Sequence, residues 1–489
     1  MKRILGFLVL ISVALSLSAV SLRIFHTNDT HGAYLPQKVG SGDSTSYIGG
    51  YANLEYHLQK ERSKAPRSIY VDAGDQQTGS VFASLKYKGA IGGAVIKAFN
   101  HLPLDATTFG NHEFDMGQEN AINLTELALY PFVSTNLRTS FGTTLRSPYH
   151  IIKRDSLKIG ILGLTMLDLS EKVKKENVAE ITVESYSEAI NRYLEELDAQ
   201  TDLIILLTHI GFEADHALAF DLDDRIDLII GGHSHDAISE PVQANGIYIT
   251  SAGSHLQLLG LLDLEVENDR ITSYKQTLIP LIQPELLPET KLSKFISVIA
   301  DSLEVEMGKV IANIPKTWTP NKFAETELSL WAANALYADY REQYQPDLAL
   351  INCGGLRKTI PAGPVTLRDM HELMPFNNNV VLFSCFGSDL LTMVEYNKQI
   401  AAEKPYDIVQ GSDMGWKMQP CPGGHGHDKR VFTIHGQEIE RSKLYRVVSH
   451  DYLVGQWEKY LGFEPLDVVE TGDLILDSAI RQIKLQYGQ

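Results

Sequence analysis

Five short runs carry side chains that could hold metal ions: Asp29-Thr30-His31, Gly74-Asp75, Gly110-Asn111-His112-Glu113, Thr208-His209 and Gly232-His233-Ser234-His235. In this order Asp29, Asp75 and Asn111 supply three oxygen ligands, and His31, His209, His233 and His235 supply four imidazoles. That set suits a pair of divalent transition ions better than one structural zinc. A two-metal centre makes hydroxide at neutral pH and clamps a tetrahedral oxyanion, so the expected chemistry is phosphoester hydrolysis. Taken singly, an Asp-x-His or a His-x-His is more often a solvated turn. The ordered set is what points to a metal centre.

Such ligands need rigid supports, and apolar runs of strand length precede most of them. Leu22-Arg23-Ile24-Phe25-His26-Thr27 runs into Asp29, and Ser68-Ile69-Tyr70-Val71 into Asp75. Asp202-Leu203-Ile204-Ile205-Leu206-Leu207 leads to His209, and Asp227-Leu228-Ile229-Ile230 to His233. Continuous apolar runs ending in polar ligands predict buried strands that deliver residues at their carboxyl ends. Helical spacing over residues 48–62 and similar segments between the strands predict an α/β layered fold. Near residue 283 the character changes. Pro284, Pro288 and a helical run over 290–307 read as a connector, and a second α/β segment follows from Val310.

The 489 residues exceed one ordinary core, so two domains are expected. Hydrophobic content of 44% and charged content of 21% describe a globular chain. A net charge of −18 excludes a surface that coats nucleic acid, yet leaves room for a small phosphorylated substrate in a local positive pocket. Lys2 and Arg3, an apolar stretch over 4–13 and Ser16-Leu17-Ser18-Ala19 read as a secretory signal rather than a membrane anchor. The mature protein is expected to begin near Val20, in a periplasm or outside the cell. Cys353, Cys385 and Cys421 cannot all pair internally, so disulfides do not hold the fold together, although one bridge is allowed.

The ligand pattern resembles the calcineurin-like metallophosphoesterases, and Gly110-Asn111-His112-Glu113-Phe114-Asp115-Met116-Gly117 resembles their 5′-nucleotidase branch. Asn352-Cys353-Gly354-Gly355-Leu356-Arg357 and Met374-Pro375-Phe376-Asn377-Asn378 are similar to the substrate-domain signatures of that branch. The resemblance implies an α/β architecture: an N-terminal four-layer α/β/β/α sandwich over 20–282 after a signal peptide at 1–19, a connector helix over 283–309, and an α/β C-terminal domain over 310–489. It implies two divalent ions, zinc or manganese, with Asp29, His31, Asp75 and His235 on one and Asp75, Asn111, His209 and His233 on the other. Asp75 would bridge them. His112, next to a ligand, would face the phosphate and donate to it or protonate the leaving oxygen, with Asp115 holding the ring. The bland alternative for Asp115 is a carboxylate in a first helical turn.

By the same resemblance Arg357 and Asn352 contact phosphate, ribose or base, and Tyr406 and Tyr452 stack the nucleobase. The branch usually carries Gly-Gly-Asp-Gly after the second ring. This chain has Gln456-Trp457-Glu458-Lys459 there, with Glu458 as the replacement acid. A nucleotide phosphomonoester is therefore the first expectation for the substrate. A cyclic nucleotide, a nucleotide sugar or a sulfur oxyanion conjugate is the alternative, and a catalytically silent secreted binding protein the distant one. No partner beyond a small phosphorylated molecule is expected, neither a nucleic acid polymer nor a membrane. Gly424-His425-Gly426-His427-Asp428 reads as a flexible polar loop rather than a surface metal site.

Overall fold

The structure, a computed structural model, describes residues 19–39, 46–65, 67–403, 407–419 and 429–488. Alternation of aliphatic residues across strand faces builds the first unit. The strand Val20–Thr27 sends Leu22 and Ile24 to one face and Phe25 to the other. It lies in a six-stranded sheet ordered Arg270–Pro280, Leu258–Glu267, Val20–Thr27, Ser68–Asp72, Ala106–Thr108, Phe132–Val133. The last four of these strands run parallel. A second six-stranded sheet follows the order Tyr149–Arg154, Leu157–Thr165, Leu203–His209, Leu228–Gly231, Ile247–Thr250, Val242–Ala244, with its middle four strands parallel.

The two sheets pack face to face. Leu22, Ile24, Ile69 and Val71 meet Ile159, Ile205, Leu207 and Ile230 in one core, each fully buried chain contributing about 1.5–3 kcal/mol. On the outer faces Phe25 and Tyr70 join Tyr51, Leu54 and Phe99 from the helices Tyr51–Arg62 and Gly93–Phe99, and Leu162 and Ile204 join Ile190 and Leu194 from Tyr186–Asp198. This is a four-layer α/β/β/α sandwich.

The helix Lys291–Met307 starts at a capping box made by Thr290 and Ser293 and buries Leu292 and Ile296 against the first unit. Beyond it a five-stranded sheet runs Val409–Gly411, Leu348–Asn352, Leu444–His450, Asn379–Phe386, Leu466–Leu474. The helices Glu327–Tyr344 and Ile475–Tyr487 cover one face around Leu336, Ile351 and Ile483. Leu390, Met393, Leu453 and Tyr460 cover the other around Leu350, Phe383 and Val447. The chain is thus a two-part α/β molecule.

Among the described residues no helix is long and apolar enough to cross a membrane. The expected signal segment, Tyr406, Cys421 and the loop from Gly424 to Asp428 lie outside the described residues. Cys353 and Cys385 are buried free thiols.

Candidate active site

Parallel strands aim their carboxyl ends the same way, and five of them converge on one spot. Asp29 and His31 follow the strand ending at Thr27, Asp75 the one ending at Asp72, and Asn111 the one ending at Thr108. His209 is the last residue of its strand, and His233 and His235 follow the strand ending at Gly231. Asp29, His31, Asp75, His233 and His235 all have positive φ, between 49° and 80°. Non-glycine residues rarely adopt that conformation, and clusters of it mark sites where the surroundings over-determine the backbone. Gly74 and Gly110 make room for it: a Cβ on Gly74 would lie 2.6 Å from Gly110 N, and one on Gly110 would collide with Asp75 Oδ1.

All seven side chains that sequence reasoning assigned to metal are brought together. Ligand atoms of Asp29, His31 and His235 form one close group, and those of Asp75, His209 and His233 another. His31 Nε2 stands 3.0 Å from His235 Nε2, and Asp29 Oδ1 lies 3.4 Å from the latter. Asn111 Oδ1 is 3.1 Å from His233 Nδ1. Backbone carbonyls fix two tautomers: His209 Nδ1 donates to Ala73 O at 2.7 Å, and His31 Nδ1 to Thr78 O at 2.9 Å. Each ring then turns an Nε2 lone pair toward the cluster. His209 Nε2 is buried without a hydrogen bond, although Asp75 Oδ2 lies 3.0 Å away.

Ring nitrogens converging beside two buried carboxylates form a cradle that could hold cations. Burial pushes His31 well below the usual imidazole value and His233 down to about 3. Burial would lower His209 too, but Asp75 and Asp29 overcome it and hold the ring at about 10. Burial alone would raise Asp75, but His209 and His112 keep it well below the usual carboxylate range. These residues fit two divalent metal ions.

Glu113, which sequence reasoning passed over, organises the turn. Its buried carboxylate accepts from the backbone N–H of Gly110 at 2.7 Å, Gln76 at 2.8 Å and Asp75 at 3.1 Å. Burial, with Asp75 nearby, raises it to about 7. His112 donates from Nδ1 to Asp115 Oδ2 at 2.7 Å, and burial is overcome by Asp115 and Asp75 so that the ring is held charged above its ordinary value. Its imidazole stacks on Phe376 with centroids 5.8 Å apart, and the Arg357 guanidinium lies 5.7 Å from the same phenyl centroid. Phe376 thus ties the two cations of the site together, a role no spacing in the sequence announces.

A cavity of about 600 Å³ opens between the units, with Asp75, Asn111, His112 and His233 on one wall and Asn352, Arg357, Asp407 and Tyr452 on the other. Asp407 was also missed. It accepts from Asn352 Nδ2 at 2.7 Å, Gly354 N at 3.0 Å and the Tyr460 hydroxyl at 2.8 Å, so it orders the far wall. Glu458 is not brought into the cavity: its side chain is 67% exposed and pairs with Lys175 at 3.2 Å. The short helix Trp457–Tyr460 turns Glu458 outward and Lys459 and Tyr460 inward.

The loop that departs from the branch pattern ties the units together. Gln456 is buried and donates from Nε2 to Ser170 O at 2.6 Å and Val173 O at 2.9 Å, while the Tyr452 hydroxyl donates to Glu171 O at 3.1 Å. These acceptors are carbonyls that the end of the helix Leu169–Lys172 leaves without helical partners. Lys174 adds an ion pair to Asp451 at 2.6 Å.

Residues 22–237 match the calcineurin-like phosphoesterase model, and residues 296–464 the 5′-nucleotidase, C-terminal domain model. A 5′-nucleotidase of Vibrio vulnificus is 24% identical over 482 residues, covering 88% of this chain and 84% of the relative. The structure of a 5′-nucleotidase precursor from Thermus thermophilus superposes with a TM-score of 0.82 at 23% identity, over 96% of this chain and 97% of that one. The sulfate thiohydrolase SoxB of the same organism shares the fold with a TM-score of 0.77 at 17% identity, over 95% and 94%. With one family model on each half and a clustered Asp/His centre within the first, the chain belongs to the calcineurin-like metallophosphoesterases that carry a 5′-nucleotidase C-terminal domain, which are metal-dependent phosphoester hydrolases.

Proposed function

We propose that the chain is an exported, dimetal-dependent phosphomonoesterase acting on nucleotides. The observation that carries this reading is the cavity with Asp75, Asn111 and His233 on one wall and Asn352, Arg357, Asp407 and Tyr452 facing them. The division of labour follows units at 20–282 and 310–489, joined through 283–309. Asp29, His31, Asp75 and His235 would hold one ion, and Asp75, Asn111, His209 and His233 the other, zinc and manganese both suiting mixed nitrogen and oxygen ligands. Bound there, the ions supply Lewis acidity and a water of lowered pKa.

The chain's own residues do the rest. The planar fork of Arg357 binds phosphate oxygens, and Phe376 holds it level with His112. Water oxygen bonds to phosphorus on one side as the P–O bond to the ribose breaks on the other. His112, kept charged by Asp115, gives its Nε2 proton to the departing oxygen. Tyr452 offers a face to the base, with Tyr406 proposed as the facing ring. Export rests on the basic, apolar and small-residue order of the first 19 residues.

The test is phosphate release by purified mature protein from nucleoside monophosphates and simple phosphomonoesters, with manganese or zinc added and Asp75→Ala as control. Release that the control lacks supports the reading, and silence with metal bound overturns it. N-terminal sequencing of the exported protein should begin near Val20.

A further inference from the structure

The cavity between the units holds more positive charge than one phosphate calls for. His112 and Arg357 are matched to the reacting group, yet Lys172, Lys322 and Lys459 line the same space. A fourth lysine there, Lys174, is taken up by Asp451. The lining has three acids. Asp75 belongs to the candidate metal centre, Asp115 holds His112, and Asp407 is engaged by Asn352, Gly354 and the Tyr460 hydroxyl. The chain as a whole carries −18, so this grouping of cations runs against its general charge.

Each lysine is placed by its surroundings. The helix Trp457–Tyr460 sends Glu458 outward to Lys175 and turns Lys459 inward, so the cavity receives an ammonium where an acid was expected. Lys459 Nζ lies 3.4 Å from Glu171 O and 4.8 Å from the centroid of the Tyr460 ring, which is 6.0 Å from that of Tyr452. The charge thus borders the ring proposed for the base. The Lys322 carbonyl accepts from Ile408 N at 2.8 Å, which seats that residue beside Asp407. Lys172 ends the helix Leu169–Lys172 across the seam and pairs with Asp168 at 3.0 Å. Burial lowers the ammonium of Lys322, and Arg357 and Lys172 repel it further, against the pull of Asp407. Burial and Lys172 act on Lys459 in the same sense. Like charges held this way gain from an anion among them, and far less from a neutral base or sugar.

We propose that Lys322 and Lys459, with Lys172 facing them, form an anion subsite for the organic half of the substrate. The preferred substrate is then a nucleotide with a second anionic group, remote from the phosphate that is hydrolysed. The inference rests on the nucleotide reading of the cavity and narrows it. The group is a phosphate on the ribose or a carboxylate on the base, either of which an ammonium cluster holds by charge-assisted hydrogen bonds. The extra charge of a nucleoside diphosphate is a different case, because it sits on the phosphorus chain beside the metal centre. The reaction remains monoester hydrolysis. Water oxygen bonds to phosphorus, the P–O ester bond breaks, and its electron pair leaves with the ester oxygen, which takes the proton of His112. One water proton stays on the phosphate formed, and the other restores His112. The second anion stays on the product nucleoside, and no co-reactant is required.

The experiment measures kcat/KM of the metal-loaded full chain on two matched pairs, with products resolved by chromatography. One pair is adenosine 5′-monophosphate against adenosine 3′,5′-bisphosphate. The other is uridine 5′-monophosphate against orotidine 5′-monophosphate, which adds a carboxylate to the same base. The parent should favour the doubly anionic member of at least one pair by about tenfold, the scale of one charge-assisted hydrogen bond. Preference in the first pair alone places the anion at the ribose, and in the second alone at the base. Lys459→Met, which keeps the stem over Tyr460, and Lys322→Met, at an exposed position, should each bring the ratio close to one, whereas Lys459→Arg should keep it. Melting temperatures check that the variants fold. Added salt should lower the ratio of the parent itself, with no variant needed. A ratio near one in both pairs overturns the inference and leaves the nucleotide reading standing, as does a preference that neither methionine variant nor salt reduces. Silence on all the substrates overturns the two together.

Discussion

The Asp115 carboxylate oxygen that accepts from His112 Nδ1 at 2.7 Å also accepts the Thr78 hydroxyl at 2.6 Å. Asp115 is thereby fixed on two sides, and the His112 ring has one orientation, with Nε2 toward the cavity. Asp115→Asn keeps the shape but removes the charge that holds the imidazole protonated. The expected loss in kcat is about 10²-fold, with metal content unchanged, since general acid catalysis contributes on that scale. His112→Ala should lose as much, and the double variant little more than either single one, because the two residues act as a unit. An Asp115→Asn enzyme with parental kcat would remove the dyad from the mechanism.

Metal should act on stability as well as on turnover. The centre joins ends of strands from both sheets, so ions held there tie the sandwich together. Saturating zinc or manganese about 100-fold above the dissociation constant should stabilise the fold by about 2.7 kcal/mol, a rise of several degrees in Tm by calorimetry. Asp75 belongs to the expected shells of both ions, so Asp75→Ala should lower metal stoichiometry below one per chain. His235→Ala should leave one ion in place. Equal stoichiometry in the two variants would refute the assignment of Asp75 as the shared ligand.

Gln456 fills a different role. From a position in the second unit, its one amide group satisfies two carbonyls of the first. Gln456→Ala takes that donor away from Ser170 O and Val173 O, at a cost of about 1–3 kcal/mol concentrated at the seam. The units should then open more readily, seen as a larger radius of gyration by small-angle scattering and faster proteolysis near residue 173. A scattering curve identical to that of the parent would show that the seam is held by Lys174–Asp451 and the packing around Tyr452 instead.

What the sequence made legible and what it hid divide along a physical line. The clustering of the seven candidate ligands was legible because most of them sit just past an apolar strand, so that one short local motif carries both the support and the polar side chain. The His112–Asp115 pair could be read because three residues span one helical turn. The far wall could not. Asp407 reaches Asn352 only because Val409–Gly411 pairs with Leu348–Asn352, a register that joins residues far apart in the chain. Glu458 was expected to face the substrate, but a four-residue helix decides which way it points, and periodicity over so short a run is uninformative. Glu113 looked like part of a motif, yet its work is done on backbone N–H groups, which sequence patterns do not display.

Asp227 gives a pH dependence of stability away from the metal centre. It lies just before the strand Leu228–Gly231, almost fully buried, and its Oδ2 accepts from Ile204 N at 2.9 Å. Burial dominates and raises its carboxyl from 3.8 to about 7, with Asp269 and Asp198 adding to the rise and Arg270 opposing it. In the unfolded chain the group ionises near its ordinary value, so between about pH 4 and about pH 7 the folded state keeps a proton that the unfolded state has lost. The contribution of this group to stability is therefore fully present below about pH 4, falls as the pH rises through that window, and is constant above about pH 7. Asn keeps a carbonyl to accept from Ile204 N and does not titrate. Asp227→Asn should match the parent in urea unfolding at about pH 4 and exceed it by about 4 kcal/mol at about pH 8. A difference between the two proteins that stays the same at both pH values would mean that Asp227 is charged in the folded state throughout, held so by Arg270.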